Sequence, residues 1–239
     1  MAVTPGINPL GANQRGLPSH LVDKIPIGRY FDFIMIPESV KKTRNPEQTR
    51  ADLLAAAYGE VLECGFQAAS LERILAKTSV SKGALYHHFG TKHELGLAVV
   101  EEVVGPQLAE RWFEPLRRDG DPIAALTGIL EEKIQSASEA IIRFGCPLNN
   151  LIQEMSPLDE RFRSGLQNIL DAWIKAMADA LAAGQEAGKV RGDIPPQEAA
   201  LFIVAAIEGC VGLGKNAQSV DAYQRCLRQL QLYVQSLAA

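Results

Sequence analysis

A succession of helix signals runs from Asn45 to the C-terminus, and this feature limits the fold more than any other. Apolar residues recur every three or four positions, and Gly, Pro, Asp or Ser residues interrupt these runs. No segment alternates apolar and polar residues as a half-buried strand does. The sequence therefore predicts an all-α protein. After a first helix between Asn45 and Gly65, we expect helices over 71–78, 81–89, from Thr91 to before Gly105, and over 106–118, 122–144, 147–155, 158–188, 196–214 and 219–237.

The chain divides into three parts by pattern. Residues 1–40 are rich in Gly and Pro and have no helical period, which predicts a disordered leader. An alternative is that Met35 is the natural start and that the preceding residues are not native. Residues 41–104 form an N-terminal helical module, and residues 105–239 a larger helical domain. Among these helices, the segment 71–89 has two short helices around a tight turn, which is helix-turn-helix spacing.

Charge is distributed unevenly along the chain. The net charge is −4, but residues 41–95 carry eight Lys/Arg against six Asp/Glu, whereas residues 96–239 carry thirteen against nineteen. A mildly basic module on an acidic remainder permits contact with an anionic polymer at one end.

Several function classes have no support in the sequence. The four cysteines lack metal-finger spacing and are expected to be free thiols, with Cys64, Cys210 and Cys226 in the core. No secretory signal or membrane-spanning run is evident, so we expect a cytoplasmic protein without membrane contact. No metal site, cofactor motif or catalytic motif is found.

The helix predicted over 81–89 has two different faces. Leu85 and Phe89 form an apolar stripe that must pack inward. Lys82, Gly83, Tyr86 and His87 share the other face, beside Ala84. A helix of this length spans about 12 Å and fits the major groove. Lys82 can donate to guanine, and Gly83 and Ala84 allow close approach of the backbone. We therefore expect this helix to read DNA, although Tyr86 has the alternative of a core position.

Other residues around this helix can bind phosphate. Ser70, Ser81 and Thr91 are expected to begin helices, whose N-terminal amides attract phosphate oxygens, and Lys92 adds a positive charge. Lys41, Lys42 and Arg44 form a basic arm that either reads the minor groove or simply confers solubility. His87, His88 and His93 do not form a zinc set, and His88 is expected to pack beneath the helix.

These residues together resemble a known family. The sequence resembles the N-terminal domain of TetR-family regulators over about fifty residues. The matching positions, all in register, are Gly65-Phe66, Ile74, the run from Val80 to Phe89, and Lys92 to Leu95. The resemblance implies an all-helical homodimer that represses transcription at operator DNA until a small molecule binds the C-terminal domain. It places Lys82, Gly83, Ala84, Tyr86 and His87 at DNA and Lys92 at phosphate. Activation instead of repression is the alternative.

The last two predicted helices are suited to dimerisation. The first is apolar on more than one face, and the second carries an apolar stripe. Two such helices per subunit predict a four-helix dimer interface, unless both faces are buried within one subunit. A dimer would present two reading helices to a pseudo-palindromic operator.

A second informative segment begins at Gly145. The stretch from Gly145 to Glu154 resembles a TetR subgroup that includes the NemR-like regulators, which respond to electrophiles. Cys146 precedes Pro147 at a helix N-terminus, where the pKa of a thiol falls, so Cys146 is a candidate sensor. The alternative is a small buried residue at a tight corner. For effector binding we name Cys146 together with Trp112, Trp173, Asn149, Asn150 and Gln153, each of which has a core position as its alternative.

Two other functions compete with an operator-binding repressor that an effector or electrophile releases. One is an all-helical enzyme, and the other is a protein-interaction adaptor with a vestigial DNA-binding domain. Both would leave the two-faced helix over 81–89 unexplained.

Overall fold

Helices account for the fold throughout the part of the chain that is described. The computed structural model describes residues 45–118 and 120–239. Eleven α-helices occur in these two ranges: α1 Pro46–Ala68, α2 Leu71–Ala76, α3 Lys82–Phe89, α4 Lys92–Val99, α5 Gly105–Arg118, α6 Pro122–Gln135, α7 Glu139–Phe144, α8 Pro147–Met155, α9 Glu160–Glu186, α10 Pro196–Ala217 and α11 Val220–Gln235. No strand is present in them, and the prediction of an all-α fold is confirmed. The predicted leader and the basic arm at Lys41, Lys42 and Arg44 lie outside the described residues.

Side-chain caps begin most of the N-terminal helices, as the sequence indicates. Asn45 accepts a hydrogen bond from the Glu47 amide, with Pro46 at the first helical position. Ser70 caps α2, and Ser81 and Thr91 cap α3 and α4. These short helices pack on α1, whose inner face consists of Leu53, Leu54, Ala57, Tyr58, Val61 and Leu62.

Two predicted helix boundaries are wrong. The helical run that begins at Lys92 does not end before Gly105, because a π-helical turn, Val100–Val104, joins α4 directly to α5. The wider π-helical turn precedes Pro106, which has no amide hydrogen to donate. The helix expected over 122–144 is interrupted at 136–138 and forms α6 and α7.

The C-terminal helices pack around α9 and α10. Helix α9 contacts α5 and α10, α10 contacts α11, and α11 returns to α6. Their core includes Trp112, Phe162, Leu166, Trp173, Met177 and Leu181. Within the described chain, α10 is the single helix long and apolar enough to cross a membrane by length and composition. One side of this helix packs against α9 and α11, while its other side is exposed.

The cysteines depart from the expectation of four free thiols. Cys210 on α10 and Cys226 on α11 form a disulfide, with Cα atoms 5.4 Å apart. Cys64, expected in the core, is exposed, and Cys146 is partly buried.

Candidate nucleic-acid interface

Helix α3 presents the two faces that the sequence predicts. Leu85 is fully buried and Phe89 is 4% exposed, so the apolar stripe holds the helix against the module. Lys82, Gly83 and His87 are exposed on the opposite side. Tyr86, which is 44% exposed, also lies on this outer face and not in the core. A Cβ atom placed on Gly83 would meet nothing within 4 Å, so the helix surface there is open.

The start of α3 is fixed by a side-chain cap. Ser81 is exposed, and its hydroxyl accepts a hydrogen bond from the Ala84 amide at 3.3 Å. The cap leaves the amides of Lys82 and Gly83 at the open end of the helix, where an anion is favoured. His88 is partly buried beneath the outer face, and its carbonyl oxygen accepts a bond from Arg50 at 3.4 Å. Arg50 also lies 4.4 Å above the Phe89 ring, which anchors the end of α3 to α1.

A buried carboxylate holds α2 against α1. Glu60 is 2% exposed, and its oxygens accept bonds from Arg73, from Lys77 at 3.1 Å and from the Ser70 amide at 3.4 Å. Burial raises the pKa of Glu60, but the hydrogen bonds from Arg73 and Lys77 outweigh burial and bring this pKa below its ordinary value. Two cations that sequence reasoning left aside therefore position the first helix of the helix-turn-helix.

The start of α4 lies next to the end of α1. The Thr91 hydroxyl accepts from the Glu94 amide at 3.1 Å, while the Lys92 ammonium donates to the Gln67 carbonyl at 2.9 Å. Lys92 also sits 4.9 Å from the centre of the Phe66 ring. Lys92 is thus held within the module and partly exposed, in a position suited to a phosphate contact.

Two polar contacts join α4 to the start of α9. His93 Nε2 lies 2.7 Å from the Asp159 carboxylate, and Arg161 donates to Glu94 at 2.7 Å. The backbone hydrogen bond from Phe162 and the neighbouring His93 lower the pKa of Asp159. The N-terminal module is therefore tied to the C-terminal helices at its fourth helix.

The effector residues proposed from sequence are only partly brought together. The Trp112 and Trp173 rings lie 5.1 Å apart, and the Lys133 ammonium is 4.8 Å from the Trp112 ring. Burial, and then nearby Arg111, lower the pKa of Lys133 to about 8. The Trp173 indole nitrogen is buried without a hydrogen-bond partner among the described residues.

Cys146 adjoins this region through Glu208. Burial of the thiol, followed by the Glu208 carboxylate, raises the pKa of Cys146, the opposite of the direction expected at a helix N-terminus. Burial also raises the pKa of Glu208 to about 6. Sequence reasoning missed Lys133 and Glu208, which lie on α6 and α10. We define Trp112, Lys133, Cys146, Trp173 and Glu208 as the buried polar cluster.

The three amide side chains proposed for the effector make hydrogen bonds within the protein. Asn150 donates to the Phe144 carbonyl at 2.7 Å and accepts from Lys215 at 2.9 Å. Gln153 is exposed and donates to Asn149 at 3.5 Å. The structure does not place Gln153 in the buried polar cluster, and it shows Asn150 joining α8 to α10.

Comparisons with known proteins agree with this geometry. Residues 53–99 match the family of bacterial regulatory proteins of the tetR type, and residues 122–230 match a tetracyclin repressor-like C-terminal domain. An uncharacterised HTH-type transcriptional regulator of Lactococcus lactis is 31% identical over 180 residues, covering 75% of this chain and 90% of that protein. The chain belongs to the TetR family of transcriptional regulators.

Other members of the TetR family are similar in sequence and fold. The repressor DhaR of Mycobacterium sp. strain GP1 is 27% identical over 68% of this chain and 81% of its own length. The crystal structure of reduced E. coli NemR is 25% identical, with a TM-score of 0.69, and covers 80% of this chain and 97% of that one. A TetR regulatory protein from Rhodobacter sphaeroides is 26% identical, with a TM-score of 0.69, and covers 77% and 98%. The chain is a DNA-binding regulator and not an enzyme.

Proposed function

We propose that this TetR-family protein is a cytoplasmic repressor that binds a pseudo-palindromic operator as a homodimer. The observation that carries the proposal is the two-faced helix α3. Lys82, Gly83, Tyr86 and His87 are exposed together, while Leu85 and Phe89 fix the helix from behind. An exposed face with one cation, one glycine and two hydrogen-bonding rings suits base edges in the major groove. Lys92, Ser70 and Thr91 supply phosphate contacts on either side.

The proposed dimer forms through the outer face of α10. Between Leu201 and Leu213 the exposed residues of this helix are apolar or small, and a Cβ atom placed on either of the two exposed glycines there would meet nothing within 4 Å. A contiguous exposed patch of apolar residues is unusual unless a partner covers it. We define this outer face as Leu201, Phe202, Ala205, Gly209, Gly212 and Leu213.

The proposed effector site is the buried polar cluster. Its two indole rings supply apolar contact area, and Lys133 and Glu208 supply charged groups whose pKa values burial has shifted. Trp112 is 4% exposed, so a ligand would stack on its ring only by displacing the Lys133 ammonium, and it would also be recognised by hydrogen bonds. We assign Cys146 the role of a buried polar neighbour of Glu208, because its raised pKa disfavours the thiolate that reacts with electrophiles.

DNA selection by the protein itself tests the function. The wild-type protein is incubated with a pool of duplexes carrying a random-sequence segment, and the retained duplexes are amplified and sequenced over several rounds. We expect a pseudo-palindrome to emerge, with half-sites separated by about one helical turn or a multiple of it. Failure to enrich any sequence would contradict the proposal. A reporter gene placed behind the selected sequence then separates repression from activation.

A further inference from the structure

Helix α1 is kinked at Gly65, whose backbone is not helical, and Glu154 near the end of α8 binds the turn that follows at Phe66 and Gln67. One carboxylate oxygen accepts from the Phe66 amide at 2.8 Å, and the other accepts from the Gln67 amide at 2.8 Å. Phe66 and Gln67 lie 88 and 87 positions before Glu154 in the chain. Hydrogen bonds to a charged acceptor are stronger than neutral ones, and here both oxygens are used. The C-terminal helices therefore hold two successive peptide groups of the N-terminal module.

Gly65 makes room for this carboxylate. Its φ is +81°, and a Cβ atom at this position would lie 2.8 Å from one Glu154 oxygen and 3.0 Å from the other. Side chains other than that of glycine are disfavoured there by conformation and by space. The Phe66 ring is fixed as well, because it packs 4.6 Å from the Phe162 ring and against Gly96. The turn at 65–67 is thus held by Glu154, by the Phe162 ring and by the backbone at Gly96.

Phe66 and Gln67, whose amides bind Glu154, also hold Lys92. Its ammonium donates to the Gln67 carbonyl and lies above the Phe66 ring. Glu154 binds the amide of Gln67, and Lys92 binds the carbonyl of that residue. A change in the position of α8 must therefore alter the support of the ammonium that the proposed function places at a phosphate.

We propose that Glu154 is a positioning residue for DNA binding, which acts through the Phe66 and Gln67 backbone to set the place of Lys92. This inference rests on the proposed function, since it assumes that Lys92 binds phosphate. Glu154 itself does not touch DNA in the proposed complex. Its effect on binding passes through Lys92, so removing either residue removes the same contribution.

A double-mutant cycle tests the role of Glu154. Affinity for a duplex selected by the wild-type protein is measured by fluorescence anisotropy for Glu154→Gln, Lys92→Ala and the double variant. A glutamine side chain has only one acceptor oxygen, so its NH2 group faces one of the two backbone N–H groups and that hydrogen bond is lost. We therefore expect Glu154→Gln to bind the duplex about tenfold more weakly. The double variant should bind no worse than Lys92→Ala alone, within about twofold. The matched control is Glu160→Gln, because Glu160 is an exposed residue of α9 that bonds Arg163. This variant should bind the duplex with the affinity of the wild-type protein.

The salt dependence separates positioning from loss of folded protein. Both Glu154→Gln and Lys92→Ala should reduce the slope of log affinity against log salt by about one. A variant that only lowered the folded fraction would leave this slope unchanged. Amide hydrogen exchange gives a second readout, since Phe66 and Gln67 should exchange at least about tenfold faster in Glu154→Gln than in Glu160→Gln.

The outcomes distinguish this inference from the proposed function. If the wild-type protein enriches no duplex, the proposed function itself fails. If the wild-type protein binds and Glu154→Gln binds with the same affinity and slope, only the role of Glu154 is overturned. Additive losses in the double variant, or unchanged exchange at Phe66 and Gln67, would overturn it too.

Discussion

Lys82 and Lys92 begin two successive helices, but their surroundings predict different effects on DNA binding. Lys82 is exposed on the outer face of α3, next to a glycine with open space above it. Lys92 is partly buried, and the Gln67 carbonyl holds its ammonium. A free side chain on the reading face can distinguish bases, whereas an anchored ammonium at a helix start suits phosphate.

For Lys82→Ala we expect a loss of sequence discrimination. Binding to the selected duplex should weaken by about 1–3 kcal/mol, because a donor to base edges is removed, while binding to a scrambled duplex should change little. Anisotropy titrations with both duplexes measure the difference. Lys175→Ala is the control, since Lys175 is exposed on α9 and pairs with Asp179. Equal weakening on both duplexes would show that Lys82 is not a base-reading residue.

For Lys92→Ala we expect uniform weakening. Removal of one phosphate contact should lower affinity for selected and scrambled duplexes alike and reduce the salt slope by about one. Titrations from about 50 to about 200 mM salt measure this slope. An unchanged slope would remove Lys92 from the phosphate contacts.

Cys146 shows why one local rule was insufficient. A helix N-terminus contributes about 0.3–1 kcal/mol to an anion, which corresponds to less than one pKa unit. Burial of a thiol beside a carboxylate can raise its pKa by more than that. The sequence showed the helix start at Pro147, but it gave no sign that Glu208, on α10, would lie against the thiol.

The outer face of α3 was predictable from sequence, whereas its supports were not. Helical spacing placed Leu85 and Phe89 inward and left Lys82, Tyr86 and His87 outward. Glu154 and Glu60 act through partners elsewhere in the chain, and Glu154 bonds across 88 residues. No periodicity signals such contacts.

At the scale of helices, α2 depends on Glu60 for its attachment to α1. Glu60→Gln should destabilise the protein by about 1–3 kcal/mol at neutral pH, because Arg73 and Lys77 lose a charged acceptor. Urea unfolding measures the change. Glu63→Gln is the matched control on the same helix: Glu63 also bonds Lys77 but is exposed, so its loss should cost less than about 1 kcal/mol.

A comparison of the wild-type protein with Glu60→Gln also gives a pH test. The pKa of Glu60 is lowered in the folded protein, so the unfolded chain takes up the proton first as pH falls. This contribution to stability is complete above the ordinary pKa of 4.5 and is lost as pH falls below it. Between about pH 6 and about pH 3, the wild-type protein should lose more stability than Glu60→Gln. Parallel curves for the two proteins would contradict this assignment.

Helix interiors were easier to predict than helix boundaries. Asn45, Ser70, Ser81 and Thr91 were expected to begin helices, and their side chains cap them. Gly105 was expected to end one, but the chain passes it in a helical conformation after a π turn. Pro106 lacks the N–H group that would continue the hydrogen bonding of the helix, but it lies in the first turn of α5, directly after the π turn, where a proline is tolerated.

At the scale of the whole molecule, α10 has one face packed in the core and one face exposed. Its inner face contributes Ala200, Ile203 and Ile207 to the core, and Cys210 on that face is linked to Cys226 of α11. Its outer face remains exposed and apolar. The sequence showed that more than one face is apolar, but it did not reveal the link between α10 and α11, because spacing alone does not determine cysteine pairing.

The exposed side of α10 predicts the effect of a charge on assembly. Leu213 is 64% exposed on this face, so Leu213→Glu should leave the subunit fold intact while burying an unpaired carboxylate in the proposed dimer interface. We expect the protein to become monomeric by sedimentation velocity and to lose most of its affinity for the full operator, because one reading helix contacts only one half-site. Leu158→Glu is the matched control, since Leu158 is 62% exposed but lies in the segment between α8 and α9 and not on α10. A Leu213→Glu protein that sediments as a dimer would place the interface elsewhere.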